Sequence, residues 1–169
     1  YVYVKDSVIA AVTQEELPFD EDVDVAGKYL SPGFIDLHVH GGADCDFMDG
    51  NEEAVVKAAN FHYQNGTTTI CPTTLSASYE QTTAALEAIQ RAVDSGKILP
   101  NVAGVHMEGP YFALSRCGAQ NKTYITPPVP EDYNRILKKY GNLVKRWSFA
   151  PELEGAPEFA AELKKRGIV

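Results

Sequence analysis

Strand-like and helix-like segments alternate from Phe34 to the end of the chain, and this alternation limits the folds open to the sequence. Apolar, β-branched runs predict strands at 34–40, 67–75, 102–107 and 144–150. Between these runs, apolar residues recur at the i, i+3, i+4 spacing of an amphipathic helix. Strands that alternate with helices form parallel sheets from right-handed βαβ units. The sequence therefore predicts an α/β fold.

Each predicted helix has a recognisable start, end or apolar face. The first spans 52–65, with Asn51 as N-cap, Gly66 beyond its end and a stripe of Val55, Val56, Ala59 and Tyr63. The second begins at a Ser78–Gln81 capping box, carries Leu86, Ile89 and Val93, and ends near Gly96. The third starts after Pro130, buries Tyr133, Ile136, Leu137 and Tyr140, and ends at Gly141; the fourth has Pro157 in its first turn and runs to Arg166.

The first thirty residues read as a separate small β-module. Residues 1–4 and 8–12 predict a hairpin, and strand-like alternation resumes at 23–25 and 29–30 before Pro32-Gly33 breaks it. We therefore predict two domains: 1–30 as part of a small β-sandwich, and 31–169 as four βα units.

Four βα units, followed by a strand-like start at Ile168-Val169, amount to half of a (β/α)₈ barrel, which typically needs ~250 residues. We therefore expect the chain to be a truncated N-terminal half-barrel that ends at the start of strand five. Such a half has open sheet edges and is expected to be unstable or to associate. A complete small doubly wound domain is the alternative, and it accounts less well for the apolar end of the chain.

Composition excludes several classes of function. The 23 acidic and 15 basic residues give a net charge of −8 without a basic block, which argues against nucleic acid or an anionic membrane as the partner. Three widely spaced cysteines without a CxxC pair argue against a disulfide framework or a zinc ribbon and favour the reducing cytoplasm.

Two histidines stand two residues apart at the end of the first predicted parallel strand. Side chains alternate faces along a strand, so His38 and His40 share a face, and Gly41-Gly42 lets the chain turn away directly after them. Parallel α/β folds keep their active sites at the carboxyl ends of the strands. The pair can therefore bind one metal ion; the alternative is two ordinary polar strand residues.

A carboxylate ends the third predicted parallel strand. Glu108 shares a strand face with His106, and Gly109-Pro110 follows as a rigid turn that fixes where the carboxylate points. Glu108 is therefore a candidate ligand for the metal held by His38 and His40, or a bridge between two metals; a surface glutamate at the start of a loop is the alternative.

Specific motifs resemble a known group of enzymes. Residues 25–29 and 31–41, with SPGFIDLHVHG, resemble the amidohydrolase superfamily of metal-dependent barrel hydrolases. Within it, GTTT at 66–69, HMEGP at 106–110, GAQ at 118–120 and APE at 150–152 resemble the N-acetylglucosamine-6-phosphate deacetylases. The similarity runs from Val25 to the last residue, and HMEGP together with GAQ is its specific part.

The resemblance implies hydrolysis of the acetamide of N-acetylglucosamine 6-phosphate to glucosamine 6-phosphate and acetate. It implies one or two divalent metal ions, zinc or iron, on Glu108, His38 and His40, and a substrate-binding role for Gln120 with its neighbours Gly118 and Ala119. Two further histidine ligands and the Asp general acid/base are expected beyond Val169, so no catalytic residue is assigned here. The resemblance also implies a homodimer for the full-length protein.

The 111–130 loop is long for a βα connection, which typically has ~2 to 6 residues. Its aromatic residues Tyr111, Phe112 and Tyr124 are candidates for stacking on a sugar ring, with ordinary packing as the stronger interpretation for at least two of them. His62, in the first helix, is predicted to lie on the helix surface.

Three alternative functions stay open. One is the same reaction on the galacto isomer, and another is a cyclic amidase of the superfamily. Such amidases commonly use a carboxylated lysine at the end of strand four, where this chain has WSFAPE at 147–152 and carries Lys145 only at the start of the strand. The third is a non-catalytic fragment.

Overall fold

A computed structural model describes residues 1–169 and divides the chain into two units, Tyr1–Pro32 and Gly33–Val169. The first unit contains the predicted hairpin, in which β1 (Val2–Lys5) pairs antiparallel with β2 (Val8–Val12). Both turn residues between the strands adopt positive φ angles, 51° at Asp6 and 63° at Ser7. That is the conformation of a two-residue hairpin turn whose twist matches the strands.

The prediction of strands at 23–25 and 29–30 is wrong. This segment contains a tight turn instead, in which the Lys28 amide donates to the Val25 carbonyl at 2.9 Å, with positive φ at Ala26 and Gly27. The segment is exposed throughout and pairs with no strand. Alternating apolar residues therefore failed as a signal here because a strand also needs a neighbour to accept its backbone hydrogen bonds.

The second unit is mixed α/β, which confirms the predicted fold class at that level. Its strands and helices follow in chain order as β3 (Phe34–Val39), β4 (Gly41–Gly42), β5 (Cys45–Asp46), α1 (Glu52–Gln64), β6 (Thr67–Pro72), α2 (Tyr79–Asp94), β7 (Asn101–Val102), β8 (Val105–Glu108), α3 (Pro130–Tyr140), β9 (Val144–Ser148) and α4 (Ala156–Lys165). A short 3₁₀ turn, Lys122–Tyr124, lies in the long loop before α3. None of these helices combines the length and the apolar composition needed to cross a membrane.

The parallel pairings place neighbouring strands in chain order. β6 lies between β3 and β7, and β8 pairs with β9, all in parallel. A single parallel bridge between Thr73 and His106 links the β6 side to the β8 side. Beyond β9, the Val169 amide donates to the Lys145 carbonyl at 3.1 Å, and the Trp147 amide donates to the Val169 carbonyl at 2.8 Å. The last residue therefore makes parallel ladder contacts with β9.

The single strand predicted at 102–107 is divided into β7 and β8. The division falls at Ala103-Gly104, where Gly104 has φ +138° and any added Cβ would meet Lys145 and the Leu143 carbonyl. Only glycine tolerates that conformation and that close approach. The break lets β7 pair with β6 while β8 pairs with β9.

The helices begin and end close to the predicted residues. Asn51 caps α1 by accepting from the Glu53 amide, and Ser78 and Gln81 form the predicted capping box of α2. The apolar face of α3 is buried as predicted, but Tyr63 in α1 is 42% exposed and Val93 in α2 is 37% exposed. The predicted Val55 and Ala59 of α1 and Leu86 and Ile89 of α2 are buried, together with further alanines of both helices.

Candidate metal centre

The carboxyl ends of β3 and β8 bring together the three predicted metal ligands. His38 lies within β3, His40 directly follows it, and Glu108 is the last residue of β8. One ligand atom from each residue lies within 4.8 Å of the others. Residues distant in the sequence meet here because the Thr73–His106 bridge holds the β6 side, which pairs with β3, next to β8.

Both imidazoles point a nitrogen at the carboxylate. His40 Nε2 is 3.2 Å from Glu108 Oε2, and His38 Nε2 is 3.9 Å from Glu108 Oε1. The side chains are 33%, 45% and 22% exposed for His40, His38 and Glu108, so an ion and a small molecule can reach them. Ligands that each lie ~2.0–2.2 Å from one ion are roughly 3–3.5 Å apart in tetrahedral geometry. The His40–Glu108 distance of 3.2 Å matches that spacing, and the His38–Glu108 distance of 3.9 Å is longer.

The other nitrogen of each imidazole is already hydrogen-bonded. His40 Nδ1 lies 3.3 Å from the Thr73 carbonyl, and His38 Nδ1 lies 3.1 Å from His106 Nδ1. Metal-binding histidines commonly donate the far ring N–H to a carbonyl or another acceptor, which leaves the near nitrogen free to bind. The residues present therefore fit a divalent metal bound through two Nε2 atoms and one carboxylate.

Glu108 is fixed by neighbours from two loops. Gln120 Nε2 donates to Glu108 Oε2 at 3.0 Å, and Gln120 Oε1 accepts from the Ser76 amide at 2.8 Å. Gln120 is itself placed by a turn, because its amide donates to the Cys117 carbonyl at 3.1 Å. Gly118 and Ala119 form the exposed tip of that turn, outside the cluster of ligand atoms. The Gln120 amide thus connects the long loop to the carboxylate.

His106 contacts the ligand His38; the sequence placed it on the strand face of Glu108 but assigned it no role. It is 1% exposed, and its Nε2 lies 2.8 Å from Ser148 Oγ. Burial lowers the pKa of His106 to about 4, and the positive charges of Arg146, His38 and His40 act in the same direction. The imidazole is therefore neutral near pH 7.

Alternation along β8 places His106 on the face of Glu108, but no sequence signal pointed to Ser148. His106 precedes Glu108 by two residues, and Ser148 pairs with Glu108 in the register of β8 and β9. Thr73, which contacts His40, follows the end of β6. A sequence specifies which residues share a strand face, but the register between strands decides which of them touch.

His62 was predicted to lie on the surface of α1. It is instead half-buried and contacts the turn after the histidine pair. Its Nε2 donates to the Gly41 carbonyl at 2.8 Å. A Cβ on Gly42 would stand 2.9 Å from His62 Nε2 and 3.0 Å from Phe61 Cδ1. The absence of a side chain at Gly42 therefore allows α1 to approach the chain just beyond His40.

Tyr111 is a core residue, which agrees with ordinary packing as the stronger interpretation and excludes stacking on a sugar for this side chain. It is 3% exposed, and its ring stacks on Trp147 with centroids 5.7 Å apart. Burial raises its pKa well above the ordinary value. Phe112 and Tyr124 are partly buried in the same loop.

Comparison with known proteins identifies the family. The amidohydrolase family profile matches residues 29–165. A relative from Lysinibacillus sphaericus named N-acetylglucosamine-6-phosphate deacetylase is 30% identical, over 99% of this chain and 44% of its own length. A relative from Escherichia coli named N-acetylgalactosamine-6-phosphate deacetylase is 30% identical, over 98% of this chain and 43% of its own length.

A solved structure of a deacetylase is also similar to this chain. The crystal structure of N-acetyl-D-glucosamine-6-phosphate deacetylase from Mycobacterium smegmatis matches with a TM-score of 0.75 and 30% identity, over 82% of this chain and 35% of that chain. This chain therefore spans less than half the length of the relatives that it matches. The resemblance predicted from HMEGP and GAQ is confirmed, and because the family profile matches most of its residues, the chain belongs to the amidohydrolase family.

Proposed function

We propose that the full-length protein hydrolyses the acetamide of N-acetylglucosamine 6-phosphate to glucosamine 6-phosphate and acetate. The observation that carries this proposal is the convergence of His38, His40 and Glu108, whose ligand atoms lie within 4.8 Å. The names of the relatives and of the similar crystal structure support the choice of substrate.

We propose His38, His40 and Glu108 as ligands for one or two divalent ions, zinc or iron. Two imidazoles and a carboxylate are a donor set common in hydrolytic zinc sites. When bound, such a metal polarises the substrate carbonyl and lowers the pKa of its water toward ~7. The remaining ligands and the general acid/base are proposed to come from outside these 169 residues.

We propose that Gln120 and its turn position the Glu108 carboxylate and the substrate. Gln120 holds Oε2 of Glu108, so its amide keeps the carboxylate directed at His40. We also propose that the 118–120 turn contributes to substrate binding, with Gly118 and Ala119 exposed beside the Gln120 side chain.

For the architecture, we propose that residues 31–169 form the first four βα units of a (β/α)₈ barrel and that residues 1–30 belong to a small β-sandwich. Parallel strands in chain order and the match to 35% of a deacetylase chain support this assignment. We propose a homodimer for the full-length protein on the resemblance alone, and a cytoplasmic location on the three cysteines without a CxxC pair.

Hydrolysis of N-acetylgalactosamine 6-phosphate is a second candidate function. The relative from Escherichia coli named for that substrate is also 30% identical, the same identity as the relative named for the gluco isomer. Sequence identity therefore does not separate the two sugars, and both must be assayed.

The test measures acetate release from both sugar phosphates together with bound metal, in wild-type protein and in Glu108→Gln. The substitution keeps the shape of the side chain but removes the negative ligand. We expect bound metal to fall and turnover to drop by about 10²-fold or more, because a lost metal ligand weakens both binding and activation of water.

Glu154→Gln is the matched control, since Glu154 is an exposed glutamate outside the site. It should keep wild-type turnover and metal content. Full activity and full metal content in Glu108→Gln would reject the proposed site. A metal-loaded wild-type protein that cleaves neither sugar phosphate would reject the substrate and point to cyclic amides.

A further inference from the structure

The two histidines of the metal centre differ in what fixes their protonation. His40 Nδ1 faces the Thr73 carbonyl at 3.3 Å. A carbonyl only accepts, so His40 carries a proton on Nδ1, and in its neutral form Nε2 is the nitrogen that can bind a metal. His38 Nδ1 instead faces His106 Nδ1 at 3.1 Å. An imidazole nitrogen can donate or accept, so this contact alone does not fix the tautomer of His38.

The tautomer of His38 depends on hydrogen bonds that connect three side chains, those of His38, His106 and Ser148. His106 is 1% exposed, so its hydrogen bonds go to His38 on one side and to Ser148 Oγ, at 2.8 Å, on the other. A neutral imidazole donates from one nitrogen and accepts at the other. The proton between the two Nδ1 atoms therefore determines the proton between His106 and Ser148, and the reverse.

Only one of the two resulting arrangements permits metal binding by His38. In the first, Ser148 accepts from His106 Nε2–H, His106 accepts from His38 Nδ1–H, and His38 Nε2 is free. In the second, Ser148 donates to His106, His106 donates to His38, and His38 carries its proton on Nε2. That nitrogen faces Glu108 Oε1, at 3.9 Å, and a protonated Nε2 cannot bind a metal.

We infer that His106, held by Ser148, is a positioning residue whose Nδ1 accepts the His38 Nδ1 proton and so stabilises the metal-binding tautomer of His38. The inference rests on the proposed metal site and adds a role to two residues that do not bind the ion. Outer partners of this kind typically change metal affinity by about 10- to 100-fold when they are removed.

The test compares zinc affinity, measured by competition with a chromogenic chelator, in His106→Leu and His106→Asn. Leucine removes the acceptor, whereas the asparagine Oδ1 branches from Cγ as the histidine Nδ1 does and can still accept from His38. We expect His106→Leu to bind zinc about 10- to 100-fold more weakly and His106→Asn to recover most of that loss. Thr82→Val is the matched control, since Thr82 is a buried polar residue of α2 outside the site.

NMR spectra of the ring nitrogens in the zinc-loaded wild type show which nitrogen of each histidine carries the proton. A purely structural role of His106 would not require one particular tautomer. We expect His38 to carry its proton on Nδ1 and His106 on Nε2. A zinc-loaded protein with His106 protonated on Nδ1 would overturn the inference. So would zinc affinity in His106→Leu equal to that of Thr82→Val.

The inference and the proposed function fail in different ways. Zinc binding that is absent in the wild type, or that is unchanged in Glu108→Gln, would reject the metal site itself. Zinc binding that weakens in Glu108→Gln but not in His106→Leu would reject only the role of His106. If His106→Leu does not fold, the wild-type spectra and His106→Asn decide, because an Asn variant that binds zinc 100-fold more weakly than wild type would contradict rescue by the retained acceptor.

Discussion

The buried imidazole of His106 should make the stability of the metal-free protein depend on pH. Its pKa is about 4 in the folded chain, against ~6.5 when unfolded. Between these values the unfolded state binds more protons, so the free energy of unfolding rises with pH and is lost as the pH falls from about 6.5 to about 4. His106 can change the free energy of unfolding by at most about 3 kcal/mol, at ~1.36 kcal/mol per pKa unit.

Urea unfolding with a chelator present, at several pH values in this range, measures that loss. His106→Asn removes the titrating group, so its free energy of unfolding should fall less steeply between pH 6.5 and pH 4 than that of the wild type. Other acidic groups contribute equally to both proteins. Parallel curves would show that the burial of His106 does not control this pH dependence.

The role of His106 could not be predicted from the sequence, although the three proposed metal ligands could. His38, His40 and Glu108 could be singled out because strand alternation and the carboxyl ends of parallel strands predict that they converge. His106 has the same strand face as Glu108, but its importance comes from contacts with His38 and Ser148 that cross between strands. Those contacts depend on register, which a single sequence does not specify.

Phe159 is the largest of the three buried side chains of α4. Phe159 is fully buried, and its ring centroid lies 5.0 Å from Tyr111, 4.9 Å from Tyr133 and 5.1 Å from Trp147. Phe159→Ala would remove contacts with α3, β9 and the long loop at once. We expect it to lower the free energy of unfolding by about 3–5 kcal/mol in urea titrations.

Phe61→Ala is the comparison, because Phe61 lies on α1 and is 43% exposed. Its substitution should cost about 1 kcal/mol, since much of the ring is already in water. A loss in Phe159→Ala no larger than that in Phe61→Ala would mean that α4 is not held by this cluster.

Elements with local signals were predictable, and elements that depend on distant partners were not. The capping box of α2 and the apolar face of α3 are encoded within a few residues. The break between β7 and β8 is not, because Gly104 is required by the approach of Leu143 and Lys145. For the same reason the alternation at 23–25 suggested a strand that has no partner.

Across the second unit, β3 forms an unprotected sheet edge. It pairs with β6 on one side and with no strand on the other. Three of its apolar side chains are largely in water, with Phe34, Ile35 and Leu37 exposed by 68%, 66% and 53%. An exposed apolar edge strand is a template for pairing with another chain, which natural proteins usually block with charges or cover.

We therefore expect the 169-residue chain, studied by itself, to self-associate through β3. Leu37→Lys places a charge on this edge and should shift sedimentation toward the monomer at high protein concentration. Leu99→Lys is the matched control, because Leu99 is 56% exposed but lies in the loop before β7. It adds the same charge without touching the edge, so it should leave the association unchanged. Equal effects of the two substitutions would mean that net charge, and not the open edge of β3, controls how these chains associate.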